Sequence, residues 1–312
     1  MKETFPRKEF AVWMTIAVAI SSVLGFSGGY IAGMVVGGDE TGVLVVDDYG
    51  RTVKVDAVPD RIVSIAPTPT ELLFAVGAGD LVVGVDTYSD YPAEVAELPK
   101  VGDMPILVEA IVALEPDLIV CGDFLPLEQL ELLQDQGIPY VVLATRTLDE
   151  VVKDVRLVGI LTGHVDEANT LADSLEDRIE TVRAKALADE VVKPRVYLEY
   201  YPYFTFGPGS FGNDLIRSAG GINVAENTSS EYPMISTEYL LAEDPEMIVY
   251  TVGYMCSTTA EDFALRPGWE NMTAVVEDNI YSMDDNLVSR YGPRVVDGLE
   301  ELAAILHPEL FD

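Results

Sequence analysis

Short apolar runs alternate with amphipathic segments along the chain from residue 43 onward. The runs Val43–Val46 and Thr52–Val55 flank a turn of Asp and Gly residues, which predicts a β-hairpin. Helical patterns separate most of the later runs, and the first helix has Pro69 in its first turn. Such alternation predicts a mainly parallel sheet with helices on both faces. The strands of this sheet are predicted at 61–66, 81–85, 118–121 and 140–144.

A long helical tract follows this first series. Its second half, 166–189, contains neither Gly nor Pro and would form roughly 36 Å of helix. After Pro194 a second series of alternating strands and helices begins. The pattern predicts an α/β fold of two Rossmann-like lobes joined by a long rigid helix. The predicted divisions are a first lobe at 39–147, a helical tract at 148–193 and a second lobe at 194–312.

The N-terminal pattern predicts a membrane anchor. Residues 10–38 carry no charged side chain, and as a helix they would exceed the roughly 30 Å hydrocarbon core of a bilayer. Basic residues precede this stretch and acidic residues follow it, so the positive-inside rule places residues 1–9 in the cytoplasm. We expect a single-pass protein of the cell membrane whose remaining residues are extracytoplasmic. A cleavable signal peptide is the alternative, although its apolar core is usually shorter. A lipoprotein would need a Cys just after the apolar run, and the first Cys is Cys121.

Composition limits the function. The 312 residues include 19 Lys and Arg against 53 Asp and Glu, giving a formal net charge of −34. This charge excludes nucleic-acid binding, which depends on clustered basic residues. Two His residues argue against a multi-His metal site. Because 49% of the residues are hydrophobic, the acidity belongs on the surface of a folded protein.

Aromatic residues follow the predicted strands in unusual number. In open α/β sheets, ligands bind beyond the carboxyl ends of the strands, so these loops are candidate ligand contacts. Aromatic walls with a few polar tips suit a large, flat, partly apolar ligand. The candidates are Tyr88, Tyr91, Phe124, Phe204, Phe206, Tyr232 and Tyr254.

Five stretches in order resemble a known family, the periplasmic binding proteins that serve ABC importers of cobalamin, haem and ferric siderophores. The first lobe contains VVDDYGRTVKVDAVPDRIVSIAPTPTELLFAVGAGDLVVGVDTYSDYP (45–92) and VEAIVALEPDLIV (108–120). The second contains FTFGPGSFGNDLIRSAGGINVA (204–225), STEYLLAEDPEMIVY (236–250) and YGPRVVDGLEELAAILHPELF (291–311). The resemblance implies a ligand cleft between the lobes, a permease and its ATPase subunits as partners, and neither catalytic residues nor an intrinsic cofactor or metal.

The YSDYP and VALEPDLIV stretches look most like the cobalamin-binding members. That similarity implies that Tyr91 lines a corrin site, with Phe204 and Tyr232 on the opposite lobe and Arg290 near the polar edge of the ligand. Met104 and Phe124 occupy the neighbourhoods in which that subgroup places cleft tryptophans.

The family also carries one permease-docking glutamate on each lobe, and Glu71 and Glu238 match those motif positions. Glu71 also completes a predicted capping box with Thr68. Both carboxylates must face outward if they are to dock.

Three alternatives stay open from the sequence. Haem or a ferric siderophore is the alternative ligand, although anionic complexes would need more basic residues near the ligand loops. An anchored extracellular enzyme would need a pair of carboxylates in the cleft with shifted pKa values, and the sequence names no such pair. A ligand sensor without a permease is the third alternative.

Overall fold

The computed structural model describes residues 42–103, 105–254 and 258–311. The predicted cytoplasmic tail at 1–9 and the predicted anchor at 10–38 lie outside the described residues, as does Met104. Among the described residues, no helix combines the length and the apolar character needed to cross a membrane.

The first lobe opens with an antiparallel hairpin of β1 (Val43–Val46) and β2 (Thr52–Val55). Four parallel strands follow in the spatial order β4-β3-β5-β6. They are β3 (Ile62–Ile65), β4 (Val82–Val85), β5 (Leu118–Gly122) and β6 (Tyr140–Leu143). Its helices are α1 (Pro67–Ala75), α2 (Val108–Ala113) and α3 (Leu127–Asp135), with 3-10 turns at Gly79–Leu81 and Ala93–Glu97.

Two long helices, α4 (Leu148–Thr162) and α5 (Val165–Ala186), connect the lobes. A capping box between Thr147 and Glu150 starts α4, and Gly163 ends it in the left-handed conformation with φ of 76°. The 22 residues of α5 make a helix of about 33 Å. The predicted helix at 166–189 is therefore present but ends three residues earlier, at Ala186.

The second lobe contains a five-stranded sheet in the order β11-β10-β7-β8, with β9 also paired to β7. All pairs are parallel except β7 with β8. The strands are β7 (Arg195–Tyr201), β8 (Phe204–Thr205), β9 (Ile222–Asn223), β10 (Met247–Val252) and β11 (Ile280–Asp284). The helices are α6 (Phe211–Ser218), α7 (Thr237–Glu243), α8 (Ala260–Leu265), α9 (Thr273–Val276), α10 (Asn286–Ser289), α11 (Val295–Leu306) and α12 (Pro308–Phe311), with a 3-10 turn at Trp269–Asn271.

Alternate residues of the central strands enter different apolar layers. In β5, Leu118 and Val120 face the layer that also contains α4, α5 and α11, whereas Ile119 and Cys121 face the outer layer of the first lobe. In β10, Val249 faces that same central layer and Ile248 faces the outer layer of the second lobe. One continuous apolar core therefore runs through both lobes and the connecting helices, so that the lobes share a packed joint.

The predicted start of α1 is wrong by two residues. The helix begins at Pro67 rather than Pro69, and the residue before it, Ala66, has a φ of 139°. The predicted capping box does not form, because the hydroxyl of Thr68 accepts a hydrogen bond from the Tyr291 N–H at 3.1 Å. The side chain of Glu71 binds a residue of the second lobe instead.

Candidate ligand-binding site

Loops of the two lobes contact each other, as Arg146 with Glu231, Arg290 with Asp90 and Tyr88 with Tyr254. We call the space between these loops the inter-lobe gap. On the first lobe Tyr88 and Tyr91 follow β4 and Phe124 follows β5, and all three rings are exposed, Tyr91 by 44%. These rings lie where the sequence pattern placed them, at the edge of a parallel sheet.

The second lobe contributes a cluster of aromatic rings. Tyr200 lies 4.8 Å from Phe206, 6.3 Å from Tyr232 and 6.4 Å from Phe204, measured between ring centroids. Tyr232 is exposed and Phe204 is half-buried. Phe206 is only 2% exposed and belongs to the central core. Its role as a ligand contact stays a prediction, and its ring packs against those of Tyr200 and Tyr232.

A buried ion pair fixes the turn behind this cluster. Arg266 makes two hydrogen bonds to Glu199, at 2.6 and 2.7 Å, and Glu199 also accepts the N–H of Tyr203 at 3.0 Å. The guanidinium lies 4.4 to 4.6 Å from the centroids of three rings. These contacts compensate the desolvation of both charges and hold the β7–β8 turn. The three rings are those of Tyr203, Phe263 and Trp269.

Two exposed tyrosines meet across one side of the gap. The rings of Tyr88 and Tyr254 are 6.3 Å apart and nearly perpendicular. Tyr254 follows β10 and is 83% exposed, so its ring has little packing from its own lobe. This edge-to-face contact closes the gap beside β4.

An ion pair joins the lobes at the centre of the gap. Both Arg294 nitrogens Nε and Nη2 donate to the carboxylate of Glu71, at 3.0 and 2.5 Å. Glu71 is 3% exposed, and the Arg294 guanidinium also stacks on the Tyr91 ring at 3.7 Å. The hydrogen bond that Arg294 donates to Glu71, together with the charge of Glu71, keeps the pKa of Arg294 above its ordinary value. The expectation that Glu71 faces outward is wrong, because this pairing buries its carboxylate.

Arg290 forms the neighbouring contact between the lobes. Its Nη1 donates a very short hydrogen bond to Asp90 and lies 3.8 Å from Glu71. The hydrogen bond to Arg290 lowers the pKa of the Asp90 carboxyl, although partial burial acts in the opposite direction. Arg290 does border the gap, but its charge is already compensated by the first lobe.

Arg146 borders the opposite side of the gap and was missed from the sequence. It follows β6, pairs closely with Asp123 and lies 3.9 Å from Glu231 of the second lobe. Burial lowers the pKa of Arg146, but the charge of Asp123, the hydrogen bond to Asp123 and the nearby Tyr232 and Glu231 together raise it above its ordinary value. Its position just after a predicted strand is the sequence feature that could have identified it.

Tyr291 connects these contacts. Its ring stacks on Phe211 with centroids 4.3 Å apart. Burial raises the pKa of the Tyr291 phenol well above its ordinary value, and the hydrogen-bonded phenol of Tyr232 raises it further. Tyr291 therefore presents a neutral hydroxyl beside Tyr232.

The charges bordering the gap are nearly balanced. Each of three arginines lies within ion-pair distance of at least one carboxylate, and there are four such carboxylates. Three positive charges minus four negative charges leave about −1 across this set. The arginines are Arg146, Arg290 and Arg294, and the carboxylates are Glu71, Asp90, Asp123 and Glu231.

Two sizeable hollows lie elsewhere on the surface. One, of about 840 Å³, lies between the segments 51–60 and 137–140 of the first lobe. The other, of about 530 Å³, lies between α4 and α5. None of the predicted ligand contacts that the structure describes lines either hollow. The gap itself is crossed by paired side chains, so a bulky ligand must displace some of them.

Comparison with known proteins gives the family. The model of a family described as "Periplasmic binding protein" matches residues 62–287, well over half of the chain. The chain belongs to this family. An uncharacterised ABC transporter substrate-binding lipoprotein, YvrC of Bacillus subtilis, is 30% identical over 278 residues, covering 86% of this chain and 87% of that protein.

Solved structures agree with this periplasmic binding protein fold. The vitamin B12 binding protein BtuF of Vibrio cholerae superposes with a TM-score of 0.71 at 25% identity, covering 80% of this chain and 98% of that one. The haem-binding protein RhuT of Roseiflexus sp. RS-1 gives a TM-score of 0.71 at 27% identity, with the same coverage. This periplasmic binding protein is therefore a substrate-binding component of the ABC importers that handle cobalamin, haem or siderophores.

The two lobes of this periplasmic binding protein share a local motif that indicates a second exposed carboxylate. In each lobe a helix leads through a residue of positive φ and a proline into a central strand, as α2 into β5 and α7 into β10. Glu238 lies seven positions before Pro245, and Glu109 lies seven positions before Pro116. Both glutamates are exposed in the first helical turn. Glu109, not the buried Glu71, is the counterpart of Glu238.

The same repeat extends to the hydrogen bonds at the opposite sheet edge. The N–H of Arg61 donates to Asp117 at 3.1 Å, and the N–H of Arg195 donates to Glu246 at 2.9 Å. The Arg61 side chain donates to the Leu114 carbonyl at the end of α2, and the Arg195 side chain donates to the Asp244 carbonyl at the end of α7. The repeat is not visible as a short sequence period, because few residue types recur and the two copies lie 129 positions apart, from Pro116 to Pro245.

Cys121 lies in the core of the first lobe rather than at the gap. Burial raises the pKa of the Cys121 thiol to about 12, so this Cys remains protonated in the core. In the part of the chain that the structure describes, no group of three or more His, Cys, Asp or Glu residues could hold a metal ion.

Proposed function

We propose that this protein binds cobalamin or a related corrinoid in the inter-lobe gap and delivers it unchanged to the permease of an ABC importer. The observation that carries the proposal is the pairing of Arg146, Arg290 and Arg294 with carboxylates among exposed aromatic rings. A corrin ring has an extensive apolar face and an amide-rich edge without acidic groups. Tyrosine rings suit that face, and hydroxyls and charged side chains suit the amides.

The same pairing argues against ligands that carry several negative charges. A catecholate siderophore or the propionates of haem would have to displace Glu71, Asp90 or Glu231 from an arginine. Each displaced carboxylate would then be left near the anionic ligand, which costs electrostatic free energy.

Haem is the second candidate, and exposed phenols favour it. Tyr91 and Tyr232 present hydroxyls at the gap, and tyrosine oxygen can be an axial ligand of haem iron. Haem binding would give the tyrosine hydroxyls at the gap a role. The haem propionates, however, would find no unpaired arginine among the three that border the gap.

Ligand entry requires the exposed contacts to separate. Tyr88 with Tyr254, and Arg146 with Glu231, cross the gap at its two sides and are accessible to solvent. In the central pair Glu71 is buried, and the Arg294 side chain is 23% exposed. We propose that the lobes open at the two sides while the central pair stays joined.

Titration with cobalamin, haemin and a ferric hydroxamate distinguishes the ligands. The full-length chain in mild detergent should bind cobalamin at micromolar or lower concentration, which corresponds to about −8 kcal/mol or better. Replacing Tyr91 and Tyr232 together with Ala should weaken binding by roughly 100-fold, since two large ring contacts are lost. The control Tyr281→Ala removes a similarly exposed ring from β11 and should leave the affinity unchanged.

Absence of cobalamin binding to the wild-type chain, with haemin bound tightly, would reverse the order of the two candidates. Conversion of a bound ligand into a product would replace the transport proposal with the enzyme alternative.

We propose that Glu109 and Glu238 dock the protein to basic residues of the permease. Each is an exposed carboxylate at the start of a short helix, and the motif shared by the lobes places them at equivalent positions. Exposed apolar residues accompany them, Leu107 and Val112 on the first lobe and Leu241 on the second. A paired, symmetric contact of this kind suits a permease with two similar halves.

We expect Glu109→Ala and Glu238→Ala each to reduce ligand uptake at least about tenfold, because each variant loses a charge-assisted contact across an interface. Ligand affinity should not change. The control Glu128→Ala removes an exposed glutamate from the first turn of α3 and should transport normally. Normal uptake by the Glu109→Ala/Glu238→Ala double variant would contradict the docking assignment, whereas ligand binding without any uptake by the wild-type protein would favour a sensor without a permease.

We also propose that residues 10–38 retain the protein in the membrane with residues 1–9 in the cytoplasm. The uncharged stretch and its flanking charges support this orientation. The mass of the protein purified from membranes should include these residues. A mass that begins after residue 38 would show a cleaved signal peptide instead.

A further inference from the structure

A buried carboxylate joins the two loops that form the wall of the first lobe. Asp86 follows β4 and is 1% exposed. Its Oδ1 accepts the N–H of Ala66, at the end of β3, at 3.1 Å. Its Oδ2 accepts the N–H of Tyr88 at 3.0 Å. A single side chain thus connects the backbone of two neighbouring loops at the gap.

A chain of buried hydroxyls ends on the same carboxylate. The Ser89 hydroxyl donates a very short hydrogen bond to Asp86. Thr70 lies 2.9 Å from Ser89 and Ser64 lies 2.8 Å from Thr70, between hydroxyl oxygens. Because an ionised carboxylate only accepts, the hydroxyl proton of Ser89 must point to Asp86. Ser64 and Thr70 tie this chain to β3 and α1.

The backbone held by Asp86 is strained. Ala66 has φ of 139° and ψ of 156°, a region that only Gly enters readily. Such a conformation persists only where the surrounding structure imposes it. The hydrogen bond from its N–H to Asp86 is a direct restraint on that conformation.

The strained residue sets the direction of α1. Pro67 follows it at the first position of the helix, and Thr68 and Glu71 then meet Tyr291 and Arg294 of the second lobe. On the other side of Asp86, the Tyr88 N–H begins the loop that carries the exposed aromatic rings. The position of Asp86 therefore affects both the contact between the lobes and the ligand wall.

We propose that Asp86 is a positioning residue for ligand binding: it holds Ala66 in its strained conformation and fixes Tyr88 and Tyr91 at the gap. The ligand part of this inference rests on the proposed function. Asp86 itself does not touch the ligand, since its carboxylate is buried and fully used by protein donors.

The test is Asp86→Asn in the full-length chain. An amide can accept hydrogen bonds on only one of its two end atoms, so either Ala66 or Tyr88 loses its acceptor. Cobalamin affinity should fall about tenfold. Hydrogen exchange of the amide that loses its acceptor, that of Ala66 or that of Tyr88, should become at least about tenfold faster.

Asp117→Asn is the matched control. The Asp117 carboxylate also bridges two backbone amides, those of Asp60 and Arg61 at 2.8 and 3.1 Å, but at the opposite edge of the same sheet. This variant should change neither the affinity nor the exchange at Ala66 and Tyr88. An equal loss of affinity in both variants would show a general stability effect and overturn the positioning role.

A second substitution tests the strain. Glycine adopts the φ of residue 66 without restraint, so Ala66→Gly added to Asp86→Asn should recover most of the lost affinity. No recovery, or Asp86→Asn with unchanged exchange at both amides, would overturn the proposal. If the wild-type chain does not bind cobalamin while exchange still rises only in Asp86→Asn, positioning is supported and the corrinoid assignment fails.

Discussion

Asp154 shows how burial changes the chemistry of a single carboxyl group. It lies in α4 with no exposed surface, and its Oδ2 accepts the Thr145 hydroxyl at 2.7 Å. Among the described residues no donor hydrogen-bonds its Oδ1, and the nearest cation, Lys153, is 3.5 Å away. Burial, and then the charge of Asp48, raises the pKa of Asp154 to about 7. The charged form is therefore unfavourable in the folded protein.

This raised pKa predicts a specific pH dependence. Because the folded state keeps a proton that the unfolded state releases near its ordinary pKa of 3.8, the contribution of Asp154 to stability is complete below that value. It is lost as the pH rises through about 7. Asp154→Asn does not titrate, so its free energy of unfolding should rise relative to wild type between about pH 5 and about pH 8. Urea unfolding of both proteins measures this, and a difference independent of pH would contradict it.

At the scale of helices and strands, the close approach of α4 and α5 can be tested. A Cβ added at Gly159 of α4 would lie 2.2 Å from the Cβ of Ala168 in α5. Gly→Ala inside a helix normally stabilises by about 1 kcal/mol. Here Gly159→Ala should destabilise by about 1–3 kcal/mol, because the helices must separate. Adding Ala168→Gly should restore much of the loss, and a stabilising Gly159→Ala in thermal unfolding would contradict this packing.

The elements that the sequence predicted correctly are those with a strong period. Buried strands such as Leu118–Gly122 and the helix after His164 have patterns that hardly depend on the rest of the fold. The start of α1 could not be predicted, because Ala66 adopts a conformation that propensity disfavours and a contact from the other lobe uses the Thr68 hydroxyl. Local pattern determines the element, whereas distant partners determine its end.

In the candidate site, too, some features could be predicted from the local sequence and others depend on distant residues. Its aromatic residues were found because parallel strands must end at one sheet edge, which is a topological rule. Which of them remain accessible was not predictable, and Phe206 is buried in the core. The pairing of Glu71 with Arg294 joins residues 223 positions apart, and nothing local in the sequence indicates it.

At the scale of the whole molecule, the surface charge should control stability. The formal net charge is −34, and the arginines at the gap are already paired with carboxylates, so many acidic groups repel one another without a nearby cation. Repulsion between exposed charges is screened as the Debye length falls from about 30 Å at 0.01 M salt to about 3 Å at 1 M. Added salt therefore stabilises the compact state more than the expanded one.

We accordingly expect the Tm to rise by roughly 5–10 °C between about 0.01 M and about 0.5 M NaCl, a range in which screening dominates over salting-out. KCl should give the same rise at equal ionic strength, because screening does not depend on the cation. Sucrose at equal osmolality separates general exclusion from screening and should produce a much smaller change. A Tm that is flat over this range would mean that the carboxylates are spaced widely enough for water alone to screen them.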